Sequence, residues 1–343
     1  MQNLKIGGKT MNEIKFARIH GILTCLSPLT HMAGISGNEA LINRHTVING
    51  GQLYDVPVLS GNALRHVLVR EPGADFIYNA CELHDSLNVN QAWFMYNGGS
   101  LTDSTISDNL KKIAAMQELL PLYRLLGGSL TNQVLAGSIH VGVGRLFCEE
   151  ERENLEKLLP PSLAALPIKM RSCEDYIGKY QYTRTDIQRM RGIAKTSEES
   201  EGAEKANLMI YSGQNVIAGA KFYVPLTLKN ISKMELGAFV AAVSDWQESS
   251  GTVGGMARIG HGQMHFEFTI EGKDFAGKQL ESEDLAMLAD KYRTYTVENK
   301  DAIRVWLDET FPAKKPKAVK PKRDKAKGDT EQLALDFFGA VDE

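Results

Sequence analysis

Between Val216 and Gly272 the chain spells out a strand, a helix and a second strand, and that run dictates the kind of sheet the protein builds. VIAGAKFYVPLTLKN (216–230) is expected to be a strand, Lys233 to Ser249 a helix, and QMHFEFTIEG (263–272) a strand. The glycine-rich VGGMARIGHGQ (253–263) supplies a turn before the last strand, completing a β-α-β unit. Such a unit needs further strands and helices to cover it, and the rest of the chain supplies them.

Upstream, IKFARIHGILTC (14–25) alternates, with Ile14, Phe16, Ile19 and Ile22 as inward positions of a strand. A Gly- and Asn-rich stretch follows, in which Gly50-Gly51 marks a turn between short extended pieces. VPVLSGNALRHVLVR (56–70) then passes from an extended piece into a helix starting at Ser60 or Gly61, with Leu64, Val67 and Leu68 on one face. Residues 108–126 carry helical spacing with a kink expected at Pro121, after which GGSLTNQVLAGSIHVGVGRLF turns strand-like. Tyr180 to Asn207 is polar, basic first and acidic after, without apolar period, and reads as a protruding hairpin. From Pro312 to Gly328 eight Lys and Arg residues face a single Asp324 with almost nothing apolar, the composition of a disordered tail.

A length of 343 residues suits one elaborated domain with insertions plus that tail. The expected division is a leader at 1–11, a body at 12–311 and a tail at 312–343. No apolar run reaches the roughly 20 residues of a membrane-spanning helix and the N-terminus lacks a signal-peptide core, so no membrane partner and a cytoplasmic location are expected. Cys25, Cys81, Cys148 and Cys173 show no CxxC or CxxH spacing, so buried thiols are expected, with neither a metal nor a disulfide framework. A net charge of −3 argues against a surface coated in positive charge, yet phosphate is also held by backbone amides, helix N-termini and a few arginines in one groove.

Two places carry chemistry suited to phosphate. Ser60, Gly61 and Asn62 present backbone N–H groups at a helix start, with Arg65, His66 and Arg70 close behind; the same residues also make an ordinary N-cap with surface arginines. Gly254, Gly255, Gly260 and Gly262 surround Arg258 and His261, letting backbone approach a ligand without Cβ atoms in the way. Neither has the spacing of a nucleotide loop, so no nucleotide cofactor is expected. His20, His31, His45 and His66 are near one another in sequence, but none pairs at metal-site spacing and His20 sits within a strand pattern. Tyr54, Tyr180 and Tyr182 suit either base stacking or a core.

Taken in order, VPVLSGNALRHVLVR, LLGGSLTNQVLAGSIHV, NVIAGAKFYVPLTLKNIS and VGGMARIGHGQMHFEF resemble the repeat-associated (RAMP) RNA-binding superfamily of CRISPR systems, over most of Ile14 to Thr269. The likeness is to the subunits that line a guide RNA in multisubunit effectors, most of all the type IV backbone subunit. It implies an α+β fold: a ferredoxin-like, RRM-like palm, an inserted helical finger region (about 71–130) and a β-hairpin thumb (about 180–207). It further implies a role in antiviral defence as part of a ribonucleoprotein. The partners implied are guide crRNA, further copies of the chain assembled head to tail into a helical filament, other effector subunits, and target DNA or RNA paired through the guide. RNA contacts are expected from Arg44, the helix start (Ser60, Gly61, Asn62, Arg65, His66), the thumb (Arg184, Arg189, Arg191) and the glycine-rich turn (Gly254, Gly255, Arg258, His261).

Target-cutting type III relatives carry an aspartate just upstream of a Val-Ile pair. In INRHTVI (42–48) that position reads as Arg44, which cannot serve as acid, base or metal ligand, so binding without catalysis is expected. The rivals are a type III-like target-RNA endoribonuclease, a guide-processing endoribonuclease using His20 or His31, and an RNA chaperone outside CRISPR immunity. In the tail, EQLALDFF resembles the peptide that bacterial proteins insert into the sliding clamp, with Gln332, Leu333, Leu335 and Phe337 as anchors; a chance match or a docking peptide for another effector subunit is the favoured alternative.

Overall fold

A computed structural model describes residues 13–37, 39–84, 86–101, 109–130, 133–185, 208–280 and 284–312. The chain divides into a main body, Met1–Pro312, and Ala313–Glu343. The leader, residues 102–108 of the expected finger region, the part of the expected thumb with Arg189 and Arg191, and the tail with its four docking anchors lie outside the described residues.

The body opens with β1 (Ile14–Cys25), β2 (Met32–Ser36), β3 (Glu39–Ile42), β4 (Arg44–Asn49) and β5 (Gln52–Leu59). Next come α1 (Gly61–Arg65), a π-turn (His66–Arg70) and α2 (Glu71–Ala80), followed by α3 (Val89–Asn97), α4 (Leu110–Leu119) and α5 (Pro121–Leu126). Short strands β6 (Gly128–Leu130), β7 (Gln133–Leu135), β8 (Ile139–Val141) and β9 (Gly144–Leu146) lead to α6 (Arg152–Leu158) and α7 (Pro161–Ala164). The remainder is β10 (Ile177–Thr185), β11 (Leu208–Val216), β12 (Lys221–Ile231), α8 (Lys233–Ser249), β13 (Met264–Asp274), α9 (Leu285–Glu298) and α10 (Lys300–Thr310).

The main sheet runs β13-β1-β12-β9-β5-β4, with β8 beside β12. β1 pairs antiparallel with both β12 and β13, so β12 and β13 are parallel to each other with β1 between them. This is the split β-α-β unit, and with the preceding helix and β8/β9 it makes a ferredoxin-like palm. Gly21, in the middle of β1, faces Phe266 so closely that a Cβ would meet the ring at 2.1 Å, which is why the central strand carries glycine there. A second sheet, β10-β11-β3-β2, stands beside the palm. Gly50 and Gly51 take φ +56° and +80°, the two-residue turn that joins β4 to β5.

α8 begins with a capping box: the Ser232 hydroxyl accepts from the Glu235 N–H at 3.2 Å, and Glu235 Oε2 accepts from the Ser232 N–H at 2.8 Å. The same carboxylate, fully buried, accepts from Arg124 Nη1 at 2.8 Å and so ties α5 to the palm helix. Burial raises the Glu235 pKa, against the pull of Ser232 and Arg124. All four cysteines are free and buried.

Several expectations are corrected. VIAGAKFYVPLTLKN is not one strand: Val216 ends β11, Gly219 turns at φ +87°, and a new strand starts at Lys221. The hairpin arms extend beyond 180–207, to Ile177 and Val216, because they pair in register over nine residues each. The finger boundary at 71 falls inside a helical run continuous from Gly61 to Ala80. α9 and α10 had no counterpart in the sequence reading; they close over α3 and α4, with Trp306 Nε1 donating to the Lys112 carbonyl at 3.0 Å and Asn88 Nδ2 to that of Phe311 at 2.7 Å.

Where α8 crosses α9, Gly237 lies against the Leu288 carbonyl, which a Cβ would meet at 2.2 Å. Gly237→Ala should therefore destabilise the protein by about 1–3 kcal/mol despite alanine's better helix propensity. A urea midpoint lowered at unchanged slope is the expected readout; a raised midpoint would show that the two helices are not in contact.

Candidate functional site

The chain leaving β1, Leu26 to Met32, crosses the end of the palm and gathers three sequence-distant features around itself. On one side is the glycine-rich turn. Gly255 N–H donates to the Thr30 carbonyl at 2.7 Å and Gly262 N–H to that of Pro28 at 2.7 Å. Gly254, at φ +82°, comes so near the Thr30 carbonyl that a Cβ would meet it at 2.4 Å. The fully buried Thr30 hydroxyl is 2.8 Å from His261 Nδ1. On the other side is the helix start, where the Ser60 N–H donates to His31 Nε2 at 3.2 Å and the Ser60 hydroxyl accepts from the Ala63 N–H at 3.2 Å. The third feature is the hairpin base: Tyr180 meets the His261 ring edge-on at 5.5 Å between centroids.

From that base a row of tyrosines continues along the second sheet. Tyr180 and Tyr182 are two residues apart on β10, so they share a face, and Tyr211 is directly across from Tyr182 on β11. Their rings are nearly parallel, at 13° and 14°, with centroids 6.3 and 5.3 Å apart. Met32, Ile35 and Met256 join them around an uncharged groove of about 590 Å³. Ile35 is 75% exposed and Ile210 54%, so the groove is an open apolar surface.

The helix start departs from a free phosphate cradle. Ser60 N–H is already taken by His31, and Gly61 is needed for packing, since a Cβ would meet the Val141 carbonyl at 2.4 Å. Asn62 is exposed. Arg65 is half-buried with its Nε unpartnered among the described residues, and Arg70 is 7% exposed, with Nη2 3.4 Å from the Gly127 carbonyl and Nη1 likewise unpartnered among them. Desolvation lowers the pKa of both. His66 lies on the surface, 4.0 Å from Glu71. Arg44 opens β4 one residue after Asn43, whose N–H donates to the His31 carbonyl; its guanidinium is held by Glu174 at 2.6 Å. Arg258 is exposed on a short turn, Ala257–Ile259, within the glycine-rich loop. Arg184 stands on β10 across from Met209. The structure thus joins Ser60, Gly254, Gly255 and His261 through Thr30 and His31. It sets Arg44 beside them and leaves His66 at the surface.

His20 lies apart, on the palm face turned away from α8, with Nδ1 2.8 Å from the Tyr223 hydroxyl. No group of three or more His, Cys, Asp or Glu suited to a metal ion occurs among the described residues.

No protein-family model matches the chain, and no curated protein matches it. One likeness among solved structures is informative. The fold is similar to that of a chain from a structure described as "Type IV-B CRISPR Complex". The two share 17% identity at a TM-score of 0.51, over 74% of this chain and 90% of that one. A likeness at this identity speaks for the fold, in agreement with the palm derived above.

Thr30, His31 and Tyr211 are the residues that sequence reasoning did not assign. His31 entered the sequence reading as a histidine of the rival guide-processing nuclease, not as a partner of the helix start; its place there follows from β1 ending at Cys25. Burial lowers its pKa below the ordinary 6.5. Between that lowered native value and 6.5 the unfolded chain takes up the proton first, so stability falls as pH drops through 6.5. Melting temperature should therefore decrease between pH 7.5 and 5.5, and His31→Gln should flatten this slope. His20, lowered in the same sense, keeps the slope from vanishing. An unchanged slope in the variant would mean that His31 is solvated.

Proposed function

We propose that the protein is a CRISPR effector backbone subunit of the type IV kind, which binds the guide RNA backbone and polymerises head to tail along it. The observation that carries this reading is the belt around Thr30 and His31. A glycine turn, a helix start and the base of a hairpin, separated by up to two hundred residues in sequence, meet on one side of a ferredoxin-like palm. The fold likeness to a chain of a type IV-B CRISPR complex supports it. In this reading the close backbone approach allowed by Gly254 and Gly255 serves the sugar-phosphate chain, with Arg44, Arg65 and Arg258 as its cations, and base edges stay free to pair. A repeated heterologous contact between copies gives an open helical assembly. The hairpin is the thumb, and its tyrosine row offers π-faces to bases without reading their sequence.

Binding without cutting is part of the proposal. Arg44 stands where target-cutting relatives carry aspartate, and its partner is the Glu174 carboxylate. The test is nuclease protection of a labelled repeat-spacer RNA by the full chain with magnesium, alongside a complementary RNA. Protection growing in regular steps with the complement intact is expected; regular cuts in the complement would overturn the non-catalytic reading, and unstepped protection the filament.

The tyrosines give a graded expectation. Tyr182→Ala with Tyr211→Ala should weaken binding of the same RNA by about 1–3 kcal/mol per base lost from the stack, read by filter binding at fixed salt. Affinity unchanged by the pair would place the bases elsewhere.

A further inference from the structure

The palm face opposite α8 carries a second pocket that the guide reading does not use. In β1 and its neighbours, Gly21 and its partner Phe268 turn toward α8, where Phe268 meets Phe239; Ile22, with its partners Glu267 and Tyr223, turns the other way. On that outer face α7 and the segment after it fold back over the sheet, Leu163, Ile168 and Met170 packing on Ile22, Phe147 and Tyr223. Beside this cover a cavity of about 350 Å³ opens to solvent. Its floor is Ile22 and Phe147, its wall Tyr176, and its rim the 44% exposed Leu166. Tyr176 is fixed by its hydroxyl, which donates to the Lys169 carbonyl at 3.4 Å.

Three charged side chains line the cavity: Lys169, Lys221 and Glu267. Neither lysine has a carboxylate within ion-pair distance among the described residues, while Glu267 is 3.7 Å from His265. Lys169 is exposed and Lys221 half-buried at the open mouth, where an anion can engage both ammonium groups. A carboxylate beside them disfavours a bare anion and suits a ligand that also carries N–H donors. The apolar, aromatic-walled interior wants a flat ring, and the volume is at the small end of small-molecule pockets, too little for a long acyl chain.

We propose that this cavity binds a nucleoside 5′-monophosphate unit. The base lies between Phe147, Tyr176 and Leu166 with its amino edge toward Glu267, and the phosphate sits between Lys169 and Lys221. The unit is a free mononucleotide or one residue of a single strand that crosses the palm away from the guide belt. The site is independent of the belt, since none of its lining residues contributes to it.

The test uses the full-length protein and three probes followed by saturation-transfer NMR: adenosine 5′-monophosphate, adenosine and inorganic phosphate. The monophosphate should bind at least 5-fold more tightly than either fragment. Lys169→Ala with Lys221→Ala should remove that advantage while leaving adenosine unchanged. Leu166→Glu should abolish binding of both nucleoside probes. All these positions are solvent-facing, and an unchanged melting temperature verifies the fold of each variant. A monophosphate that fails to bind, or binds all variants equally, overturns the proposal. A 5-iodouridine oligonucleotide that crosslinks to Tyr176 identifies a strand as the source; monophosphate binding without that crosslink identifies a free nucleotide. Arg65→Glu serves as a control for independence: loss of guide protection with monophosphate binding intact separates the two sites, and loss of both overturns the second.

Discussion

The structure hangs on the two-sided backbone pairing of β1. From Ile14 to Thr24 this strand is matched on one edge by β12 and on the other by β13. Its central place satisfies both its edges, while its faces are packed separately: Ala17, Ile19 and Leu23 are buried toward α8, and Ile22 toward the α6–α7 segment. Its direction fixes where the chain emerges at Cys25, and the next seven residues become the belt around which the helix start, glycine turn and hairpin gather. A strand bonded on both edges has no freedom to shift register, so the belt inherits the precision of the sheet rather than that of a loop.

The palm and the inserted helices are joined by charge as well as by packing. Glu235 caps α8 and also accepts from Arg124 on α5, so one buried carboxylate serves the palm and the insertion together. Removing either partner leaves an uncompensated buried charge, a far larger cost than the pair itself contributes. Arg70 poses the opposite case: a buried guanidinium at the end of the π-turn, whose partner among the described residues is one carbonyl at 3.4 Å.

Much of this was legible from residue pattern. The strand–helix–strand run, the Gly50-Gly51 turn, the Ser60 cap and the break at Pro121 all follow from local chemistry, which needs only neighbours in sequence. The helices α9 and α10 were missed although a signal was present: Ile303, Trp306 and Leu307 fall at i, i+3 and i+4 and are all buried. The split of 216–230 at Gly219 was hidden because its apolar run is continuous while its backbone is not. The belt was illegible for a different reason. Thr30 and His31 matter through partners more than two hundred and nearly thirty residues away, and no local pattern marks such a meeting. Likewise Tyr211 joins the tyrosine row only through the register of β10 with β11.

That register bears on how such a hairpin can change over evolutionary time. Side chains alternate across a strand, so losing or gaining one residue between Tyr180 and Tyr182 would throw Tyr180 to the opposite side of the sheet from Tyr182 and Tyr211. Changes within the arms are therefore tolerated in pairs, one on each side of the alternation, or matched by an equal change on β11. Drift in hairpin length should accordingly spare the paired arms, whose phase keeps the three rings on one face.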